Sequence, residues 1–388
     1  MKLNSQKLKS IARRAINTHE LGNFLAPLTS LKAFPINYSS PKEFKQIIPA
    51  YTLNPVVPAA TFHYYRKDYK VQQEPVIISN DGLHVVKDGL LFSDNLFENI
   101  LIKEGKIIQP LSMIHQIGPQ ANHDPEQYFL PRIASSTHLA GRVFNLLAGG
   151  GKNNYFHWMV DALAKTALLI KSGDFETIDW FLVSAHELPF QKQSLALIGI
   201  PPSKIKVMKE NTFLSFDELW CASSSRHNGW YKPWTQEFFN NIKAPITHSP
   251  EKIYISRRDT TQRKVINEDE IIPILEDMGF AILDLGNYTL GEQINLFRNA
   301  KSIIAPHGAA LTNLFYCKKG TRVLEIFPKE YTSPLYYELC LRKEMNYRML
   351  ICPSVNNSHR DGKLSSAKKA HIKINLDEFK KITASFFT

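Results

Sequence analysis

Cysteine is scarce in this chain: Cys221, Cys317, Cys340 and Cys352 are the four in 388 residues. None stands in a C-x-x-C pair or at metal-ligand spacing, which argues against a zinc module and a disulfide scaffold and points to a reducing, cytoplasmic setting. Long apolar runs are missing as well. No stretch approaches the roughly 18 apolar residues that cross a bilayer, and the opening residues, with Lys2, Lys7, Lys9, Arg13 and Arg14, lead into no apolar signal region. Three nucleotide and acyl-transfer signatures are absent too: the Gly-x-x-x-x-Gly-Lys-Ser/Thr loop, a Gly-x-Gly-x-x-Gly after a strand, and the Gly-x-Ser-x-Gly elbow. Their absence argues against a kinase and a nicotinamide dehydrogenase. No two aspartates form Asp-x-Asp, the usual clamp for a metal-bound diphosphate.

Positive charge is abundant. The formal net charge is +11, so polyanionic partners come into view: nucleic acid, an anionic membrane surface or a phosphorylated substrate. Residues 1–16 read as a short basic amphipathic helix that could touch an anionic surface, or as a solvated terminus.

Four regions follow from the patterning. Residues 1–75 read as an irregular, extended segment; 25–75 is rich in proline and aromatics, lacks a helical period and reads as irregular structure or short strands. Residues 76–245 form a first lobe that opens with a small antiparallel β meander, with Asp81-Gly82 and Asp88-Gly89 as turn signals. From Val143 the rhythm becomes βαβ: a strand into Gly149-Gly150-Gly151, a helix over 155–171, and strands near 180–183, 205–207 and 219–221. Residues 246–353 repeat that rhythm, with strands at 253–255, 281–283, 302–305 and 323–327. Asn267 with Glu270, and Thr289 with Glu292, look like capping boxes. The linker is placed at 243–250. Residues 354–388 are a polar loop and a terminal helix with apolar residues at 376, 379, 382, 386 and 387. The fold class is therefore α/β.

Four segments carry chemistry. Arg257, Arg258, Arg263 and Lys264 put four cations in eight residues, between a strand end and a helix start. Arginine forks and helix N-termini bind phosphate oxygens, and open parallel sheets bind ligands at that edge. Next, Pro306-His307-Gly308-Ala309-Ala310 ends another strand with small residues that let a pyrophosphate approach the backbone, with His307 placed to donate to it. His157 and Asp161 lie four residues apart on one helical face, suited to taking a proton from a hydroxyl or simply to tying the helix together. Glu325, at a strand end, could accept both hydroxyls of a ribose.

Taken in order, Asn154-x-x-His157-x-x-x-Asp161, then Ser256-Arg257-Arg258 with Arg263, Asn267 and Glu268, then His307-Gly308-Ala309-x-Leu311-Thr312-Asn313, then Glu325-x-x-Pro328, resemble glycosyltransferase family 61 over roughly residues 140–330. That family includes plant β-1,2-xylosyltransferases and extracellular O-linked N-acetylglucosamine transferases; many bacterial members are capsular polysaccharide biosynthesis proteins. The resemblance implies a GT-B fold, two Rossmann-like lobes facing a cleft, and inverting transfer that needs no metal or other cofactor. It implies a nucleotide-sugar donor, UDP-linked, held in the C-terminal lobe by Arg257, Arg258, Arg263, His307, Gly308, Ala309, Ala310, Thr312, Asn313 and Glu325. Asp161, with His157, becomes the catalytic base; Asn154 and Trp158 fall on the acceptor side. The acceptor expected is an oligosaccharide or lipid-linked glycan of a bacterial surface polysaccharide, capsule or lipopolysaccharide, met at the inner face of the cytoplasmic membrane. Two rival classes are a non-catalytic nucleotide- or sugar-binding module and a nucleic-acid-binding protein. Nucleic acid is not expected as a partner, because the basic cluster sits at a strand end rather than among stacking aromatics.

Overall fold

A computed structural model describes residues 31–387, apart from 38, 42, 56–60, 65–66, 71–73, 96, 114–126, 134–135, 228 and 356–368. The expected basic helix over 1–16 therefore lies outside the described residues. The chain divides into two compact units, Met1–Tyr51 with Ser79–Ser225, and Thr52–Ile78 with Arg226–Thr388. It changes unit at Ser225/Arg226, ahead of the expected linker. The reason is the helix Pro233–Asn241, whose Phe239 stacks on Phe315 with ring centroids 4.2 Å apart and so belongs to the second unit.

In the first unit, one mixed sheet runs in the order Gln127–Pro131, Leu31–Asn37, Lys106–Ile108, Asn99–Lys103, Asp81–Ser93, Thr212–Ala222, Ser136–Asn145, Trp180–Val183, Ile205–Val207. The last four strands are parallel, and their chain order across the sheet is that of a mononucleotide-binding half. From Ser136–Asn145 the chain winds outward to Trp180–Val183 and Ile205–Val207, then returns to the opposite side as Thr212–Ala222. The antiparallel meander is Asp81–Ser93, Asn99–Lys103 and Lys106–Ile108.

The turn assignments inside that meander need correcting. Asp81-Gly82 and Asp88-Gly89 lie within a single 13-residue strand. Gly89 is there for space: a Cβ would fall 2.7 Å from the ring of Phe216 on the neighbouring strand. The turn is instead made at Glu104 and Gly105, both with positive φ (51° and 73°), the backbone of a two-residue hairpin. The region before residue 76 holds short strands, one of its two expected readings. Leu31–Asn37 is built into the sheet, with Phe34 buried among Phe92, Ile100 and Tyr128.

The second unit holds a parallel five-stranded sheet in the order Ala281–Leu283, Lys252–Ile255, Ser302–Pro306, Arg322–Pro328, Asn346–Cys352. In chain order this is 2-1-3-4-5, a doubly wound sheet that reverses direction between Lys252–Ile255 and Ser302–Pro306. Its three central strands read as near-continuous apolar runs because both faces are covered, while the edge strand Asn346–Cys352 alternates with exposed residues. Thr289 and Glu292 form the capping box expected of them. Asn267 does not: its amide holds both the N–H and the carbonyl of Ile374 and so stitches the tail onto the sheet's edge helix. The terminal helix Leu376–Phe386 buries Phe379 in the same core. Among the described residues, no helix is long and apolar enough to cross a membrane.

Candidate active site

Ligands of open α/β sheets bind outside the carboxyl ends of the strands, where the winding reverses. Each unit has one such point; the arginine loop, the His307–Ala310 turn and the His157–Asp161 helix each follow a strand that borders one, while Glu325 lies mid-strand in Arg322–Pro328.

In the first unit the reversal lies between Ser136–Asn145 and Thr212–Ala222. Asn145 leads within a few residues into Gly149-Gly150-Gly151 and the helix that carries His157. That helix starts unusually: His157–Ala162 is π-helical, Leu163–Lys165 is a 3-10 turn, and only Thr166–Ser172 is α-helical. Single π turns inside helices recur at functional sites. His157 Nδ1 and Asp161 Oδ2 are 2.7 Å apart, and the side chains are 36% and 14% exposed, so the pair reaches solvent. Gly150, with φ 78°, gives the histidine its space, since a Cβ there would stand 2.8 Å from His157 Cδ2. Lys165, four residues beyond Asp161, donates to the carbonyl of Leu147 at 2.8 Å. Burial holds its ammonium below the usual lysine range, opposed by the nearby Cys221 and Asp161. Nothing in the composition flagged Lys165, but the 157–161–165 spacing on one helix face could have.

Two acceptor-side assignments change. Asn154 Oδ1 accepts from the backbone N–H groups of Phe156 and His157, and so caps the helix that presents the pair. Trp158 is 1% exposed and spends its indole N–H on Ser194 Oγ at 2.8 Å; it is core, out of reach of an acceptor.

In the second unit the reversal point brings together the loop after Lys252–Ile255 and the one after Ser302–Pro306. Arg257 donates Nε and Nη2 to the carbonyl of Gln262, while Nη1 lies against Gly308, where a Cβ would be 1.9 Å away. Only glycine admits that guanidinium; the Gly308 backbone itself is extended, so space and not φ is the constraint. Arg263 takes a positive φ of 53° and donates Nε to the carbonyl of His307 at 2.8 Å, tying the two loops. Its guanidinium lies over the ring of Tyr331. Burial, together with Arg263, pulls Arg257 down to about 10, and burial lowers Arg263 as well. Desolvated cations crowded in this way gain most from an anionic ligand. Beside them, Ala309 and Ala310 open the 3-10 turn Ala309–Tyr316, ahead of its bond from Leu311 N to the Gly308 carbonyl. Their N–H groups are therefore at an N-terminus suited to phosphate oxygens.

The remaining donor-side residues play other parts. Arg258 is bound by Glu268 at 2.7 Å and by Asp269, carboxylates at the start of the next helix, and so turns away from the arginine pair. Glu268 also accepts from Tyr254 and Ser256, which fixes the loop's first residues. Thr312 and Asn313 are buried, the one against the Tyr336 hydroxyl, the other donating its amide N–H to Gln293 Oε1. Glu325 is fully buried: Oε2 accepts from Tyr347 at 2.6 Å and Oε1 lies 2.5 Å from His307 Nδ1. It has no face left for a ribose. Its work is to hold His307, whose Nε2 is 3.4 Å from the Tyr331 hydroxyl and whose ring stacks on Phe327. The sequence reading missed Tyr331, Tyr336 and Tyr347, which come from beyond the recognisable motifs.

Residues 155–324 match the family model described as Glycosyltransferase 61. This stretch is similar to glycosyltransferase 61. It takes in His157, Asp161, both buried arginines and the His307–Ala310 turn. Two curated relatives match part of the chain, both named EGF domain-specific O-linked N-acetylglucosamine transferase. The Drosophila melanogaster protein is 26% identical over 170 residues, 41% of this chain and 31% of its own length. The Xenopus laevis protein is 22% identical over 204 residues, 50% of this chain and 39% of its own. The chain thus aligns with only about a third of each relative's length. A bacterial iron-containing dodecameric glycosyltransferase from enterotoxigenic E. coli aligns over 85% of this chain and 87% of its own at 9% identity, with a TM-score of 0.29, too low to carry an argument about fold.

Proposed function

We propose that the chain transfers a sugar, with inversion, from a UDP-linked donor to a hydroxyl of a glycan acceptor, without a metal ion. The observation that supports this most is the convergence of Arg257, Arg263 and the Gly308–Ala310 turn at the reversal point of the second unit's sheet. Diphosphate departure needs its growing negative charge met by fixed donors. Two desolvated guanidiniums and a helix N-terminus supply that without Asp-x-Asp. In the same step the acceptor oxygen bonds to the anomeric carbon, the carbon–phosphate oxygen bond breaks, and the acceptor proton passes to the His157–Asp161 pair. We further propose that the two units work as the lobes of a GT-B enzyme, the first taking the acceptor and the second the donor.

For the acceptor, the family resemblance favours a bacterial surface polysaccharide, built at the inner face of the cytoplasmic membrane. The relatives' printed names favour a different one, a protein hydroxyl with N-acetylglucosamine as the sugar. Thermal stabilisation by a panel of nucleotide sugars identifies the donor. Transfer in excess EDTA to oligosaccharide and to EGF-repeat acceptors, with the anomeric configuration read by NMR, tests the rest. Transfer lost in EDTA and restored by manganese refutes the metal-free reading. Donor binding without hydrolysis or transfer to either acceptor would make the chain a binding module.

A further inference from the structure

His307 stands between a carboxylate and two guanidiniums, and a histidine so placed can change charge near neutral pH. We propose that His307 is neutral in the free protein and takes up one proton from solvent at Nε2 when a nucleoside diphosphate binds, so that it donates a hydrogen bond to the diphosphate. The inference rests on the donor-site reading above.

The geometry fixes the ring's orientation. Glu325 Oε1 sits 2.5 Å from Nδ1, and the carboxylate's other oxygen is taken by Tyr347. A carboxylate can only accept, so the ring hydrogen is on Nδ1 and the lone pair is on Nε2. A neutral His307 thus points an acceptor toward Tyr331 and could not bind a phosphate oxygen; a protonated one could. Carboxylate–histidine pairing of this kind sets tautomer and raises basicity.

The groups facing the ring explain why the charge would wait for a ligand. Glu325 from the strand Arg322–Pro328 favours the protonated form. Burial and the guanidiniums of Arg263 and Arg257, from the loop after Lys252–Ile255, oppose it and hold the histidine below its ordinary value. Tyr331, Tyr336 and Phe327 supply only neutral rings around it. A diphosphate would neutralise both guanidiniums and add its own negative charge beside Nε2. The opposing cations are then cancelled while Glu325 remains, and the proton is drawn in. Protonation would also add a third positive partner for a departing diphosphate, beside the two guanidiniums.

Calorimetric titration of the full chain with UDP, at pH 7.5 in Hepes and in Tris, measures the protons taken up. The expected result is close to one proton more for the wild type than for His307→Gln; UDP's own ionisation is common to both and cancels. Wild-type affinity for UDP should strengthen by up to about tenfold per pH unit between pH 8.5 and 7, since the bound form holds the extra proton. Glu325→Gln should remove most of that dependence. Should His307→Gln fail to fold, ¹⁵N shifts of the wild-type His307 ring decide: Nδ1–H neutral when free, imidazolium with UDP. UDP binding with equal uptake in both proteins, or with a neutral ring in the complex, overturns the proposal alone. Failure of UDP to bind overturns the donor-site reading and this inference with it.

Discussion

Both units hold a histidine against a carboxylate, and the two pairs are built for different work. His157 and Asp161 lie on one helix and are partly exposed. His307, just past the strand Ser302–Pro306, and Glu325, within Arg322–Pro328, are buried, locked by Tyr347 on one side and stacked on Phe327 on the other. An exposed pair can exchange a proton with a substrate hydroxyl. A sealed carboxylate cannot touch substrate, so it can act only through the histidine it holds. Sequence spacing cannot distinguish these cases, because burial is set by the neighbours.

The sharpest way to break this contrast is at the exposed pair. Asp161→Asn should lower the transfer rate by about 10²–10⁴-fold, the usual worth of a general base, and leave UDP affinity unchanged. His157→Ala is its companion: full activity in Asp161→Asn with loss in His157→Ala reverses the roles, and activity in both makes the pair structural. Gly308→Ala comes next. Its methyl would occupy the position of Arg257 Nη1, so UDP affinity should fall by about 10–150-fold, the loss of one charge-assisted contact of about 1.5–3 kcal/mol. Calorimetry reads this directly, and unchanged affinity would take Arg257 out of the site. Trp158→Phe should cost about 1–3 kcal/mol in denaturant unfolding through the lost Ser194 bond, while acceptor KM stays constant. A raised KM would restore Trp158 to the acceptor side. The smallest effect belongs to Arg258→Ala: with its guanidinium already held by Glu268 and Asp269, UDP affinity should change by less than about twofold.

Much of the architecture was legible, because buried parallel strands announce themselves as short apolar runs. The strands at 180–183, 205–207, 253–255 and 281–283 were read within a residue or two. The glycines misled. Gly82 and Gly89 resemble turn residues, yet each sits in a long strand because a neighbouring strand packs close against it, a fact held in the partner and not in the local sequence. The candidate site was legible as a set of loops but not as a set of roles. Arg257 and Arg258 are adjacent and chemically alike; one turns to Gly308 and the other to an acidic helix start, and that choice depends on residues 10 and 11 positions further along for Arg258. Glu325 was expected at a ligand because strand-end carboxylates often face one. Tyr347, two elements later in the chain, is what closes it off.

The division of the chain has a consequence for how the protein is made. Thr52–Ile78 belongs to the second unit, with the Asn54 carbonyl receiving Arg342 Nη2. On a ribosome, that stretch emerges before the roughly 150 residues that separate it from the rest of its unit. At ordinary synthesis rates of about 5–20 residues per second it waits on the order of ten seconds or more for its partners. During that interval Leu53, buried in the finished protein, is held only with its paired strand Val76–Ile78, before the rest of its unit exists. A gene fragment starting at Arg226 would likewise produce a second unit lacking one of its own segments, so separating the units for expression calls for two pieces of chain supplied together.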